Sequence, residues 1–87
     1  MKNYHLIIST PGGNVFDGEA AMLTVRGSEG DLAVLAGHTP FITAVRECVA
    51  GIVFEDNTER RAKIGGGILT VSKGITTLLT SSFQFED

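Results

Sequence analysis

The sequence predicts an all-β fold, a sandwich or a barrel, on three observations. The chain of 87 residues contains seven Val, seven Ile and nine Thr, and these stiff β-branched side chains suit a pleated, half-buried surface. Eleven glycines, together with Pro, Asn and Ser, punctuate the sequence and leave runs of about 5–10 residues between turns. The hydrophobic fraction is 43% and the net charge is only −3, a balance typical of a folded chain.

Extended runs lie between the turn signals. In chain order they are Tyr4–Ser9, Val15–Arg26, Asp31–Leu35, Phe41–Val45, Val49–Glu55, Thr58–Ile64, Ile68–Val71 and Ile75–Thr80. Asp56-Asn57 and Ser72-Lys73-Gly74 predict two hairpins, since Asn and Gly tolerate the left-handed backbone of tight turns. Gly18, inside the long second run, indicates a bulge or a close approach of two backbones. Gly65-Gly66-Gly67 lacks the Lys-Ser/Thr of a phosphate-binding loop and indicates a turn or bulge where two backbones come close.

Residues 39–51 fit two local structures. Thr39 as an N-cap, Pro40 in the first turn and Gly51 after the last turn would frame a helix. The apolar residues that recur at helical spacing are Phe41, Ala44, Val45, Cys48 and Val49. A lone helix of this length is marginal without packing, and the neighbouring runs are extended. The sequence therefore favours strand, turn, strand, and the helix stays open as the alternative.

The length allows a single domain, residues 1–87, with one core and hardly a deep cleft in addition. The one cysteine, Cys48, cannot close a disulfide within the chain. The longest apolar run, Leu32 to Ala36, has five residues, whereas a signal peptide needs about 7–15 and a membrane-spanning helix about 20. We therefore expect a soluble, cytoplasmic chain that reaches a membrane only through a partner, with no membrane insertion of its own.

The residues indicate no catalytic, cofactor or metal site. His5, His38 and Cys48 are ligand types that zinc prefers, but none of them is paired at a metal-binding spacing. Ser28 lies in Arg26-Gly27-Ser28-Glu29-Gly30, which lacks the first glycine of a nucleophile elbow. Seven basic residues against ten acidic ones give no basic excess for phosphate backbones, so we expect no nucleic-acid partner.

Glu29 and Asp31 differ from the other carboxylates because they lie in a glycine-bounded loop. Binding residues are concentrated in loops that a rigid scaffold positions. On the residues alone this acidic loop is the candidate functional site, while the carboxylates beside Arg60 and Arg61 indicate a solvated hairpin edge.

Four motifs in register resemble one family. The longest is Gly27–Phe41, GSEGDLAVLAGHTPF, which joins the acidic loop to a short apolar strand and a Gly-His-Thr-Pro turn. The others are Val15–Glu19 (VFDGE), Gly65–Val71 (GGGILTV) and Ile75–Leu79 (ITTLL). With this order and spacing across its whole length, the sequence resembles the N-terminal domain of the epsilon subunit of F-type ATP synthases, called delta in mitochondria.

The resemblance implies a β-sandwich of two sheets with about ten short strands. It implies a non-catalytic subunit of the rotor's central stalk, without a cofactor, that links the gamma subunit to the membrane ring of c subunits and so couples ion-driven rotation to ATP synthesis. It implies a location at the cytoplasmic face of the bacterial inner membrane. Family members commonly continue into two helices that restrain ATP hydrolysis. Because this sequence ends at Asp87, we expect that helical domain to be absent.

The resemblance also implies which residues touch these partners. The residues that would contact the c-ring loops are Glu29, Gly30 and Asp31. The residues that would contact the gamma subunit are His38 and, near it, Thr10 and Thr43. As an alternative, His38 only forms hydrogen bonds within its own turn. The sequence departs from the family at Glu47-Cys48, where Pro-Gly is usual. The alternative function is a freestanding β-sandwich that binds a small ligand, for which the sequence offers no convergent polar groups.

Overall fold

Every regular element in the part of the chain that the computed structural model describes, residues 2–86, is a β-strand. In chain order the strands are β1 (Tyr4–Thr10), β2 (Gly13–Gly27), β3 (Gly30–Leu35), β4 (Phe41–Phe54), β5 (Glu59–Ser72), β6 (Ile75–Thr80) and β7 (Phe83–Phe85). The all-β prediction is confirmed. None of residues 2–86 belongs to a helix that is long and apolar enough to cross a bilayer.

All seven strands are hydrogen-bonded into one continuous sheet, and because three of them pass from one side to the other, it folds into two layers, which we call the front sheet and the back sheet. The front sheet has the order β4–β5–β6–β1–β2 and contains residues 41–45 of β4, 67–72 of β5 and 13–20 of β2. The back sheet has the order β3–β2–β4–β5–β7 and contains the other halves of the same three strands. All neighbouring strands are antiparallel except β1 and β6. Each sheet has five segments, so the seven described strands supply the ten short segments that were expected.

β4 changes its inner face where it passes from one sheet to the other. The inner positions are Phe41, Thr43 and Val45 before the corner, and Cys48, Ala50 and Ile52 after it. This shift by one residue places inner side chains at a spacing that imitates a helix, which is why residues 39–51 also fit a helical pattern. The strand interpretation is confirmed for residues from Phe41 onward. The turn expected within it is wrong, because a bulge against β2 takes its place and β4 is continuous.

β5 bends at Gly65-Gly66-Gly67, directly opposite the bend in β4, because Val45 pairs with Gly67 and Glu47 pairs with Gly65. Gly66 and Gly67 have φ angles of +92° and +155°, which side-chain-bearing residues rarely adopt. A Cβ on Gly67 would lie 1.8 Å from the carbonyl oxygen of Leu79. The close approach of two backbones predicted for this glycine run is confirmed, but the predicted turn or bulge is wrong, because β5 is continuous through residues 65–67 and its register with β4 does not shift there.

The core lies between the two sheets and draws on both. Its largest fully buried side chains are Leu6, Ile8, Leu23, Val34, Ile52, Ile64, Leu69, Thr76 and Leu78. Tyr4 of β1 is buried as well, and its hydroxyl donates a 2.9 Å hydrogen bond to the carbonyl of Val34 in β3. Burial raises the pKa of the Tyr4 phenol well above its usual range. The core therefore contains one polar contact that joins the front sheet to the back sheet.

Both hairpin turns predicted from the sequence are confirmed. Asn57 and Lys73 have φ angles of 70° and 52° at the tips of the β4–β5 and β5–β6 connections. The first turn is stabilised by Asp56, whose carboxylate accepts hydrogen bonds from the hydroxyl and the backbone N–H of Thr58. These bonds hold the pKa of the Asp56 carboxyl below its usual range.

Gly18 does not lie at a bulge. Its pairing with Leu6 belongs to a regular ladder, and the irregularity between β1 and β2 falls at Ile8 and Ser9. The ring of Phe16 lies over Gly18, with its nearest atom 3.2 Å from the place where a Cβ would stand. The predicted bulge is therefore wrong, and the group that approaches this glycine is an aromatic ring, not a second backbone.

Candidate partner-binding surfaces

The β2–β3 hairpin presents the acidic loop at its tip. Ser28 and Glu29 form a two-residue turn between Gly27 and Gly30, which pair across the hairpin. Gly30 has a φ of +126°, a conformation that favours glycine. Glu29, Gly30 and Asp31 are all exposed, and 80% of the Asp31 side chain is accessible. The three predicted ring-contacting residues therefore lie together at one end of the back sheet.

Two arginines stand beside these carboxylates, and sequence reasoning missed both. Arg26 Nε lies 3.1 Å from Asp31 Oδ1, and Arg46 Nη2 donates a 3.3 Å hydrogen bond to the carbonyl of Ser28. Their charges balance those of Glu29 and Asp31, so the tip is neutral overall. The first pair follows from the hairpin register, which makes Arg26 and Asp31 direct neighbours. The Arg46 contact depends on the corner in β4, which no local pattern predicts.

The residues predicted to contact the gamma subunit lie in three different settings. Thr10 ends β1, and its hydroxyl donates to the carbonyl of Gly13 at 3.3 Å. His38 is exposed in the β3–β4 loop, where its Nδ1 lies 2.9 Å from the carbonyl of its neighbour Thr39. Thr43 is half-buried on the inner side of β4. The hydrogen bond that His38 makes within its own turn was anticipated as the alternative for this residue.

These three residues do not form one cluster. Thr10 lies on β1 and Thr43 on β4, with β6 and β5 between them in the front sheet. Three strand spacings correspond to roughly 14 Å. His38 precedes β4, and its ring packs against Phe41 with the centroids 4.7 Å apart. The predicted proximity is therefore wrong for Thr10, although all three residues lie on or beside the front sheet.

An uncharged surface, which we call the apolar face, covers the outer side of β4, β5 and β6 in the front sheet. It is formed by Ile42, Ala44, Ile68, Thr70, Ile75, Thr77 and Leu79. Ile42 is 70% exposed and Leu79 is 51% exposed. No charged residue occurs in residues 41–45, 67–72 or 75–80. Contiguous exposed aliphatic side chains of this kind mark sites of protein interaction.

Sequence reasoning did not identify the apolar face, although a signal for it exists. A strand with one solvated side alternates apolar and polar residues. Ile68-Leu69 in β5 and Leu78-Leu79 in β6 instead place apolar side chains at consecutive positions, one facing the core and the next facing solvent. Consecutive apolar residues in such a strand therefore indicate that the outer side of the sheet is apolar as well as the side that faces the core.

A polar group borders the apolar face on the side of β1 and β2. His5 Nε2 lies 2.6 Å from Asp17 Oδ1, and its Nδ1 lies 3.5 Å from Glu19 Oε2. Within residues 2–86 there is no group of three His, Cys, Asp or Glu side chains suited to a metal ion. His5, Asp17 and Glu19 thus form a charged border where the apolar face ends.

Comparison with known proteins decides the family. Residues 3–86 match the family described as ATP synthase, Delta/Epsilon chain, beta-sandwich domain. The chain belongs to this family. The resemblance inferred from four motifs is thereby confirmed, and the two bent sheets described above are the sandwich of this delta/epsilon domain.

Two curated relatives of this delta/epsilon chain are ATP synthase epsilon chains. It is 34% identical over 86 residues to the ATP synthase epsilon chain, sodium ion specific, of Acetobacterium woodii, covering 99% of this chain and 65% of the relative. It is 40% identical over 68 residues to the ATP synthase epsilon chain of Bordetella petrii, covering 78% of this chain and 48% of the relative. The chain thus spans about half to two thirds of the length of these relatives.

Solved structures share the fold. A chain of the mitochondrial ATP synthase of Euglena gracilis, in a structure of OSCP/F1/c-ring, matches with a TM-score of 0.90 at 21% identity, over 95% of this chain and 53% of that one. A chain from the central stalk/c-ring of the Tetrahymena thermophila enzyme matches with a TM-score of 0.78 at 13% identity, over 91% of this chain and 63% of that one. At these identities the likeness concerns the fold of the delta/epsilon domain.

Proposed function

We propose that this delta/epsilon chain is a non-catalytic subunit of the rotor of an F-type ATP synthase, where it links the gamma subunit to the membrane c-ring. The family match carries the proposal, because the curated relatives are ATP synthase epsilon chains. The similar structures come from F1/c-ring and central-stalk assemblies. A small rigid sandwich with two distinct contact surfaces suits a connector that transmits torque.

The apolar face is the surface best suited to the gamma subunit. Permanent interfaces are more apolar than the rest of a protein surface. Covering the exposed parts of Ile42 and Leu79 would contribute on the order of 1 kcal/mol each. Thr10 and His38 lie near the border of this face, and Thr43 lies on the inner side of β4, so these residues would contact gamma only at the edges of a wider, uncharged interface.

The tip of the β2–β3 hairpin is the surface suited to the polar loops of the c-ring. Glu29, Gly30 and Asp31 are exposed there, and Arg46 fastens the turn to β4. Exposed charges contribute specificity and orientation to an interface more than raw affinity. Asp31 would lose or share its Arg26 partner when a basic side chain of the ring approaches.

In this function the chain needs no cofactor and would lie at the cytoplasmic face of the bacterial inner membrane, held there by its partners. Ion flow would turn the ring, and this subunit would help to fix the ring to gamma. Rotation would then reach the catalytic head without any reacting group on this chain.

Binding to purified rotor components tests the proposal. We expect the chain to bind the cognate gamma subunit, and the resulting complex to bind the cognate c-ring more tightly than either protein alone. Co-purification with the head and stalk from native membranes is the matching observation in cells. The proposal would be overturned if the chain bound neither purified gamma nor the purified ring and also failed to co-purify with the head and stalk.

A further inference from the structure

A groove of about 610 Å³ runs beside the hairpin tip, between the β2–β3 hairpin and β4. It exists because residues 45–51 of β4 run alongside only residues 24–27 of β2, so the two strands separate at the bulge. The backbone N–H of Arg26 lies 3.5 Å from the Sγ of Cys48 within this gap. The bend that divides β4 between the sheets therefore also opens a cleft on the outer surface.

The walls of the groove are apolar and its rims are charged. The exposed Ala33 and Val49 contribute to the walls, and Asp31 and Glu47 contribute carboxylates. Arg26 is the one cation of the lining, so the formal charge of these groups is −1. Asp31 already pairs with Arg26, whereas Glu47 forms no ion pair with any residue in the described range 2–86. A single added positive charge would balance the site.

We propose that this groove receives one Arg or Lys side chain from a polar loop of the c-ring. The aliphatic stem would lie on Ala33 and Val49, and the charged head would reach Glu47 and Asp31. Long basic side chains bury their stems on apolar surface while their heads stay in polar surroundings. A hydrogen bond between ionised groups is roughly twice as strong as a neutral one. This inference rests on the proposed function, since it assigns a pocket to the ring contact, and it adds Glu47 to the three residues of the loop.

Two substitutions separate the charge of the groove from its space. Glu47→Gln keeps the shape and removes the unpaired carboxylate, and Ala33→Phe fills the groove from exposed β3. We expect each variant to weaken association of the chain–gamma complex with the detergent-solubilised cognate c-ring by about tenfold, the effect of losing one charge-assisted contact. Binding to gamma alone should not change, because the groove lies outside the apolar face.

Matched controls use exposed positions outside the groove. Glu55→Gln removes a carboxylate at the β4–β5 turn, and Gln84→Phe adds a ring on β7 of the same sheet. Both should bind the ring as the unchanged chain does, and thermal unfolding should show that all four variants fold.

The outcomes distinguish this inference from the function on which it rests. If the unchanged chain binds the ring and both groove variants bind equally well, the groove is not the contact and the function still stands. If only Ala33→Phe weakens binding, the occupant is apolar and the proposed cation is wrong. If the unchanged chain does not bind the ring at all, the proposed function has failed, and this inference fails with it.

Discussion

Gly67 lies so close to Leu79 that position 67 has no room for a side chain, because a Cβ there would stand 1.8 Å from the Leu79 carbonyl oxygen. The contact occurs where β5 bends from the back sheet into the front sheet. Beside it, the hydroxyl of Thr80 donates a 2.7 Å hydrogen bond to the carbonyl of Gly66. The corner that lets one strand serve two sheets therefore depends on the absence of a side chain.

We expect Gly67→Ala to lower the free energy of unfolding by about 3 kcal/mol or more. The added methyl group would meet backbone atoms, which cannot rotate away as a side chain can, and the φ of +155° adds strain. Urea denaturation followed by circular dichroism measures the loss.

Gly74→Ala is the matched control. Gly74 has a φ of +78° but no heavy atom within 4 Å of its Cβ position, so only the backbone strain applies. That strain costs about 1 kcal/mol. Equal losses in the two variants would contradict the steric argument for the corner.

The apolar face predicts a binding variant that leaves the fold intact. Ile42 is 70% exposed, so Ile42→Glu should change the free energy of unfolding by no more than about 0.5 kcal/mol. Affinity for the cognate gamma subunit should fall at least about tenfold, because burying a carboxylate in an uncharged interface is costly. Titration calorimetry with purified gamma measures the change.

Val15→Glu supplies the comparison for this binding test. Val15 is 42% exposed on β2 and lies outside the apolar face. This variant should bind gamma as the unchanged chain does. Full affinity in Ile42→Glu would show that gamma does not cover this face.

Charge reversal at the hairpin tip tests the ring contact. Asp31→Lys removes the exposed pair with Arg26, which is worth about 0–1 kcal/mol, so the chain should remain folded. Association with the c-ring and ATP-driven ion pumping should both weaken, because two cations would then face the ring. ATP hydrolysis by the soluble head should change little, since no catalytic group is altered.

Glu55→Lys makes the same change of charge at the β4–β5 turn, away from the hairpin tip. It should leave pumping intact, which separates a local contact from an effect of net charge. Unimpaired pumping by Asp31→Lys would mean that Asp31 is merely solvated.

The sequence was sufficient for features that depend on neighbouring residues. Asn57 and Lys73 supply the positive φ angles of the two hairpins, and β-branched residues predict the strands between them. Register then follows from the turns, and it explains why Arg26 faces Asp31. These features are decided within a few residues of the chain.

Apart from the Arg26–Asp31 pair, the corner and its contacts were missed because they depend on distant residues. The helical spacing around Val45 arises because the strand exchanges its inner and outer faces at a corner that Gly66 makes possible from another strand. The bond from Arg46 to Ser28 joins residues brought together by that same corner. A periodicity measured along one segment cannot distinguish a bent strand from a helix, because both displace the inner positions in a similar way.

The buried phenol of Tyr4 makes stability depend on alkaline pH. Burial raises its pKa in the folded chain above the value of about 10 expected when the chain is unfolded, and a weaker backbone interaction with Leu23 acts in the opposite direction. The folded state therefore holds this proton more tightly. Its contribution to stability is complete below about pH 10 and is lost as the pH rises from there towards the folded-state pKa, by about 1.4 kcal/mol per pH unit.

Tyr4→Phe should remove this dependence and lower stability at neutral pH. Without the hydroxyl, the carbonyl of Val34 loses its 2.9 Å donor, a change that costs about 1–2 kcal/mol. Urea denaturation between pH 7 and about pH 11 should give a flatter decline in the variant than in the unchanged chain. Because the sequence contains a single tyrosine, phenolate absorbance reports on Tyr4 alone. A phenolate signal that rises near pH 10 while the circular dichroism is still native would contradict the raised pKa.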